Sequence, residues 1–389
     1  MIKYGQQNIT SNDIEAVLGV LKSSHLTQGP VIPLFEEELV NSVGANFGVA
    51  TNSATSALHI ACMALGLEKG DILWTVPNSF VASANCGLYC GAIVDFVDID
   101  PNTWNICIIK LQEKLEKASS LGKLPKIIVS VHFGGNPANQ EDLYDLVRPF
   151  GIKIVEDASH ALGASHKGQK MGNCHWSDIT IFSFHPVKII TTGEGGMALT
   201  KSRVLYERMQ LLRSHGITKD NSKYENRDFR PWIYEQKMLG FNYRMTDLEA
   251  ALGLSQVTRL NQFISLRNQI AERYNSEFKG LPFQTPQVSA QSVSSFHLYV
   301  VCLDSDLTQI KGLNPRDKLY EEMIEAQIGV NVHYIPIHLQ PYFRRLGFRP
   351  GDFPISESYG ERALTLPLHP SLSDTEQAYI IEKVRDFFR

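Results

Sequence analysis

No stretch of this sequence stays apolar long enough to cross a bilayer; its hydrophobic runs are short and interrupted by polar residues. The first residues, MIKYGQQNITSND, lack the apolar centre of a secretion signal, so the expected location is the cytoplasm. Cysteine is sparse, and Cys62, Cys86, Cys90, Cys107, Cys174 and Cys302 form no CxxC pair. In a chain of 389 residues that argues against a disulfide framework or a zinc site and for reduced thiols. Cys174 and His175 are adjacent, but two neighbouring ligands without partners do not make a metal site, and no metal is expected. Excess charge is missing too. Lys and Arg number 37 against 41 Asp and Glu, a net charge of −4, which gives no electrostatic footprint for nucleic acid or an anionic membrane. Internal repeats and low-complexity tracts are likewise absent.

What is present is an ordinary globular composition, 43% hydrophobic and 20% charged, with length for two or three folding units. From about residue 47 to 200, short β-rich runs (NFGVATN, ILWTV, KIIVSVHF, IKIVED, DITIFSF) alternate with helical patterns such as ATSALHIACMALGL. Near-continuous apolar strands separated by amphipathic helices predict a mostly parallel α/β sheet covered on both faces. Ligands of such sheets bind beyond the carboxyl ends of the strands. Residues 213–237 show no period and mix charges with aromatics, the pattern of a long structureless insertion, functional or disordered. Beyond them, Thr246-x-x-Glu249 opens a helix, and Phe263, Leu266, Ile270 and Tyr274 mark another. The remainder reads as α+β: strand FHLYVVCL, a helix opened by Asn314-Pro315, strand GVNVHYI, and a last helix capped by Ser373 and Glu376. The expected division is a large unit over residues 1–250 and a small C-terminal unit over 251–389.

Four polar features fall at predicted strand ends. TNSATSAL starts a helix with hydroxyl-bearing residues, which suits a phosphate, although Ser53 or Thr55 as a plain helix cap explains it equally. Phe80, in PNSFVASAN, either fills core or stacks on a flat ring. Asp157 ends IKIVED, where a carboxylate caps a turn or pairs with a protonated ring nitrogen. Lys188 sits in SFHPVKIITTGEGG; its glycines follow the lysine, whereas a P-loop needs them before it. A lysine near the end of a buried strand is costly to hold as an ammonium, and the resulting neutral amine suits carbonyl chemistry. Taken together, a lysine for an aldehyde, an acid for a pyridinium nitrogen, a phosphate cradle and a stacking ring describe the needs of pyridoxal 5′-phosphate (PLP).

These residues resemble the sugar aminotransferases, PLP enzymes of the aspartate-aminotransferase (fold type I) architecture. LTQGPVIPLFEEEL, TNSATSAL, PNSFVASANC, VEDASHALGA, SFHPVKIITTGEGG, GFNYRM and VHYIPIHLQPYF carry the resemblance in that order. It implies a large domain with a mostly parallel mixed sheet between helices, plus a smaller α+β domain. It also implies that Lys188 binds the cofactor aldehyde, Asp157 faces the ring nitrogen and His160 lies near the ring or its phenolic oxygen. Phe80 would stack on the ring, Ala54, Thr55 and Ser183 would hold the phosphate, and Asn242 would reach the phosphate of a neighbouring subunit in a homodimer with shared sites. On the substrate side it implies Thr27, His185, Arg230, His333 and His338, although a satisfied core histidine explains either of the last two equally; the 213–237 loop offers Arg213, Lys219, Lys223, Arg227 and Arg230 as cations for a diphosphate or as solvated surface charges. The expected partners are L-glutamate and a UDP-4-keto-6-deoxy sugar, as in the subgroup of pseudaminic acid biosynthesis, with no nucleic acid and no membrane.

Overall fold

The computed structural model describes residues 1–226, 230–307 and 314–389. A seven-stranded sheet forms the centre. Its strands are β1 (Phe47–Thr51), β2 (Ile72–Thr75), β3 (Ile93–Phe96), β4 (Ile127–Val131), β5 (Lys153–Asp157), β6 (Ile179–Ser183) and β7 (Gly196–Thr200). Their spatial order is β1-β7-β6-β5-β4-β2-β3. Strands β3, β2, β4, β5 and β6 are parallel, and β7 runs antiparallel to both β6 and β1. Every residue of β4 and β7 is buried, as expected for a sheet covered on both faces.

Helices α1 (Ser11–Leu21) and α2 (Val31–Val43) precede the sheet; α3 (Ala54–Ala64), α4 (Ala82–Tyr89), α5 (Ile108–Ser120), α6 (Gln140–Val147) and α7 (Arg203–Arg213) are spaced between and after its strands. One core forms where Leu58, Ile60, Leu73, Val129, Ile181 and Met209 meet under α3, α4 and α7. A second forms on the other face, from Phe35, Leu39, Phe182, Phe184 and Phe263. Helix α8 (Asp247–Val257) opens at the Thr246–Glu249 capping box and packs on α1 and α2, so residue 250 lies inside a continuous helix. Helix α9 (Leu260–Glu277) then leads to a three-stranded antiparallel sheet, β8 (Phe283–Gln284), β9 (Tyr299–Leu303) and β10 (Ala363–Leu366), in the order β8-β9-β10. Helices α10 (Pro315–Glu325), α11 (Pro341–Arg345), α12 (Pro354–Arg362) and α13 (Asp374–Phe387) complete this part, with Asn314 and Ser373 as N-caps.

Two readings of the chain change. Residues 213–237 carry a small antiparallel pair, Ile217–Thr218 against Glu235–Gln236, rather than no structure. GVNVHYI is not a strand; only Asn331 bridges Thr365. Pro336 cannot donate to a ladder. The side chain of His333 is committed to Thr365, and that of Tyr334 lies against His160.

Candidate active site

The chain's topology places three of the four polar features at one edge. Asp157 closes β5 and Ser183 closes β6, while the antiparallel β7 begins there with Gly196, opposite both Ser183 and Thr51. Gly196 has no room for a side chain: a Cβ there would stand 2.4 Å from the Ala54 nitrogen. Two of the glycines after Lys188 therefore pack inside this chain, Gly196 against the start of α3 and Gly195 against Thr192 and Met245. Helix α3 starts at that contact. Ser53 is its N-cap, its hydroxyl accepting from Ser56 N–H at 3.1 Å, so the capping alternative holds for Ser53. The first-turn amides of Ala54 and Thr55 lie outside the helix ladder, and Gly196 joins that helix start to Ser183, an arrangement that suits an anion.

Lys188 lies in the turn between β6 and β7. That turn is tied by Lys188 N–H to the His185 carbonyl (2.9 Å), Phe184 N–H to the Gly195 carbonyl (2.9 Å) and Thr191 Oγ1 to the Phe184 carbonyl (3.0 Å). Burial lowers the Lys188 amine from its usual 10.5 to about 8, and the Asp157 carboxylate partly opposes that fall. Asp157 is buried, with one oxygen accepting the Ser83 hydroxyl at 2.6 Å and the other the Ser159 N–H at 3.2 Å. Ser83 sits in the first turn of α4, its N–H on the Phe80 carbonyl, so the stretch that presents Phe80 also orients Asp157. The Phe80 ring is 58% exposed, a face available to a flat ligand, and lies 6.3 Å from the Tyr334 ring.

His160 is buried. Its Nδ1 accepts the Gly134 N–H at 3.3 Å, which assigns the proton to Nε2, 3.4 Å from the Tyr334 hydroxyl. Desolvation, then Lys188 and His333, hold it well below the usual imidazole range. His333 bonds Thr365 Oγ1 at 2.8 Å; burial, with Lys188 adding, takes it down to about 3. Both rings are neutral at pH 7.

Other sequence-expected residues lie elsewhere or at the margin. His338 is fully buried, its Nε2 2.8 Å from Glu357 and its ring against Phe353, which accounts for it as a core histidine. His185 and Thr27 are exposed; Thr27 bridges Thr246 through its backbone. Arg213 is committed to Glu36 (2.6 Å) and the Ala50 carbonyl, and Lys223 to Glu207 and Asp220. Lys219 is exposed, and Arg230 lies over the Trp232 ring; Arg227 is outside the described residues. Asn242 is exposed, next to Tyr243, whose carbonyl accepts the Asn52 N–H.

Three residues of this cluster were not singled out by sequence reasoning: Ser83, Tyr334 and His297. The last lies 3.4 Å from the Lys188 amine and 4.4 Å ring to ring from His160. Ser83 is one small residue among several, and Tyr334 was passed over between two histidines. A histidine just ahead of the wholly apolar run LYVVCL is the one signal the chain carried.

The donor set fits PLP: an amine with depressed basicity, a buried carboxylate, an open aromatic face, and an amide-lined anion cradle that a single Cβ would fill. Fold and site together define a PLP-dependent sugar aminotransferase of fold type I. The chain belongs to the DegT/DnrJ/EryC1/StrS aminotransferase family, whose model matches residues 7–385. It is 37% identical, over 99% of both chains, to the UDP-4-amino-4,6-dideoxy-N-acetyl-β-L-altrosamine transaminase of Campylobacter jejuni subsp. jejuni serotype O:23/36 (strain 81-176). Among solved structures it superimposes on Spr1654 of Streptococcus pneumoniae in its PMP form (TM-score 0.90, 31% identity, 100% of this chain and 99% of that one). It likewise matches Helicobacter pylori PseC, an aminotransferase involved in pseudoaminic acid biosynthesis (TM-score 0.89, 32% identity, 100% and 99%).

Proposed function

We propose that this aminotransferase moves the amino group of L-glutamate to C4 of UDP-2-acetamido-2,6-dideoxy-β-L-arabino-hexos-4-ulose. The products are UDP-4-amino-4,6-dideoxy-N-acetyl-β-L-altrosamine and 2-oxoglutarate, the former a step toward pseudaminic acid for flagellin glycosylation or a surface polysaccharide. The observation that carries the aminotransferase chemistry is Lys188, half-buried at a strand end, with its basicity lowered to about 8 and Asp157 beside it. The substrate assignment is supported by the 37% identity to the Campylobacter enzyme across nearly the whole chain.

Bound PLP supplies an aldehyde to take up the amino group and a ring to accept electrons. The chain supplies the rest. Asp157, held by Ser83 and Ser159, would face the ring nitrogen. The α3 amides and Ser183 would hold the phosphate, and Phe80 would cover one ring face. Lys188, with an appreciable neutral fraction at pH 7, takes the proton from the donor carbon and returns one to the sugar carbon; such proton transfer contributes roughly 10²–10⁴-fold. Neutral His160 donates its Nε2–H toward Tyr334, fixing that wall without adding charge.

We further propose a homodimer with shared sites, Asn242 reaching the partner's phosphate cradle and Arg230 the nucleotide diphosphate. Leu239 and Trp232, 75% and 69% exposed on the segment before Asn242, support an apolar face for a second copy.

The test is direct. The purified protein should be yellow, with a band that borohydride fixes onto Lys188 and L-glutamate bleaches. Loaded with amino groups, it should then aminate the UDP-linked 4-keto sugar faster than other UDP- or dTDP-4-keto-6-deoxy sugars. A band that glutamate leaves unchanged contradicts the donor; preference for another sugar, or the opposite configuration at C4, contradicts the substrate.

A further inference from the structure

The Lys188 amine lies 3.4 Å from His297, ahead of β9, and feels the charges of Asp157 ending β5, His160 just beyond it and His333 ahead of α11, with Tyr334 against His160. The hydrogen-bonding capacity of most is already committed. Asp157 receives Ser83 and Ser159 on its two oxygens. His160 uses both ring nitrogens, on Gly134 and Tyr334, and His333 uses both, on Thr365 and Asn331. His297 differs. Its Nε2 is 3.4 Å from Lys188 Nζ, and its Nδ1 is buried without a partner among the described residues. Its backbone is held in place, because the segment is fastened on several sides. Ser295 N–H and Leu298 N–H bond the carbonyls of Gly135 and Gly134 (3.1 Å each), and Ser295 Oγ bonds the His160 carbonyl at 2.6 Å. The buried Arg267 donates to the His297 carbonyl.

We propose that His297 is a positioning residue for Lys188: its Nε2 lone pair accepts a hydrogen bond from the amine whenever that amine is free, holding it between its two proton transfers. Desolvation, followed by the nearby Lys188, keeps the imidazole well below its usual range, so it accepts a hydrogen bond without taking the proton away. The proton of neutral His297 then resides on Nδ1. The bond stabilises the ammonium form, setting how much free amine exists at neutral pH, and it fixes the direction of the remaining lone pair. This inference rests on Lys188 being the cofactor lysine.

The test uses the full chain loaded with pyridoxamine phosphate, in which Lys188 is free. Competitive labelling with acetic anhydride across pH, read by mass spectrometry on the Lys188 peptide, gives the midpoint of that amine. In His297→Leu the proton affinity of the amine should fall about three- to tenfold, the worth of one hydrogen bond, and labelling at pH 7 should rise about two- to fivefold. His297→Gln, which keeps an acceptor, should move the midpoint back toward wild type. If the Leu variant shows no cooperative melt, His297→Met, similar in volume and a weak acceptor, replaces it. An unchanged or raised midpoint in the Leu or Met variant overturns the proposal. The function can fail separately: borohydride fixing the cofactor onto a different lysine sinks the catalytic reading of Lys188, while the midpoint still reports the His297 contact.

Discussion

At the scale of single residues, the site depends on taking charge and polarity out of water and answering them locally. Lys188 has a folded value of about 8 against 10.5 in an unfolded chain. Between those values the unfolded chain binds the extra proton, so the burden on stability is full below pH 8 and fades as pH rises toward 10.5. Cofactor-free Lys188→Met should therefore melt above wild type at pH 7, and scanning calorimetry across pH should show the difference closing near pH 10.5. Ser83 is the hydroxyl that holds Asp157, and Ser79 Oγ lies 2.8 Å behind it. Ser83→Ala leaves a buried carboxylate short of one donor, a loss of about 1–3 kcal/mol. The expected result is cofactor release at least severalfold faster, followed by the decay of the absorbance band. The single residues also show where sequence reasoning stopped. The proposed cofactor contacts Lys188, Asp157 and Phe80 could be picked out from the sequence because PLP calls for those side-chain types in or just after strands of such a sheet. His297 and Ser83 could not, because their roles come only from what folding brings beside them, across 109 residues in one case and 74 in the other.

At the scale of elements, the sheet was legible from alternating apolar runs, and the capped helices from their boxes; Thr246–Glu249 and Ser373–Glu376 both form as expected. The direction of β7 was not legible. An apolar five-residue strand reads alike in either direction, yet only the antiparallel course brings Gly196 to the start of α3. That packing yields a comparison. Gly196→Ala forces a methyl into backbone and should cost about 1–3 kcal/mol while emptying the phosphate cradle. Gly193→Ala, in the same turn, meets open space but a φ of +87°, so it carries backbone strain alone. Both variants should melt below wild type; spectroscopic titration should show that only Gly196→Ala loses PLP. The failure of GVNVHYI as a strand has the same lesson in reverse. Its period suits a strand, but its side chains are drawn to the site and to Thr365, and the residue that follows it, Pro336, cannot extend a ladder.

At the scale of the whole molecule, an exposed Asn242 and the exposed apolar side chains of Trp232 and Leu239 carry the proposal of two chains sharing two sites. Lys188→Ala and Asn242→Ala homodimers should each be impaired. Mixed and reassociated, half of the dimers should be hybrids, each with one site built from two intact contributions, restoring about one quarter of wild-type activity. No recovery, in a mixture shown by mass to exchange subunits, would refute shared sites. The cluster around Lys188 also draws on distant parts of each chain. Gly135 lies so close to the segment that follows it by 160 residues that a Cβ there would stand 2.3 Å from Ser295 Oγ and 3.0 Å from the His297 nitrogen. This closeness has a consequence for the order of synthesis. A ribosome releases Asp157 and Lys188 more than a hundred residues before His297 and Tyr334. The nascent chain thus carries its amine for more than a hundred residues before the wall that will enclose it has been made.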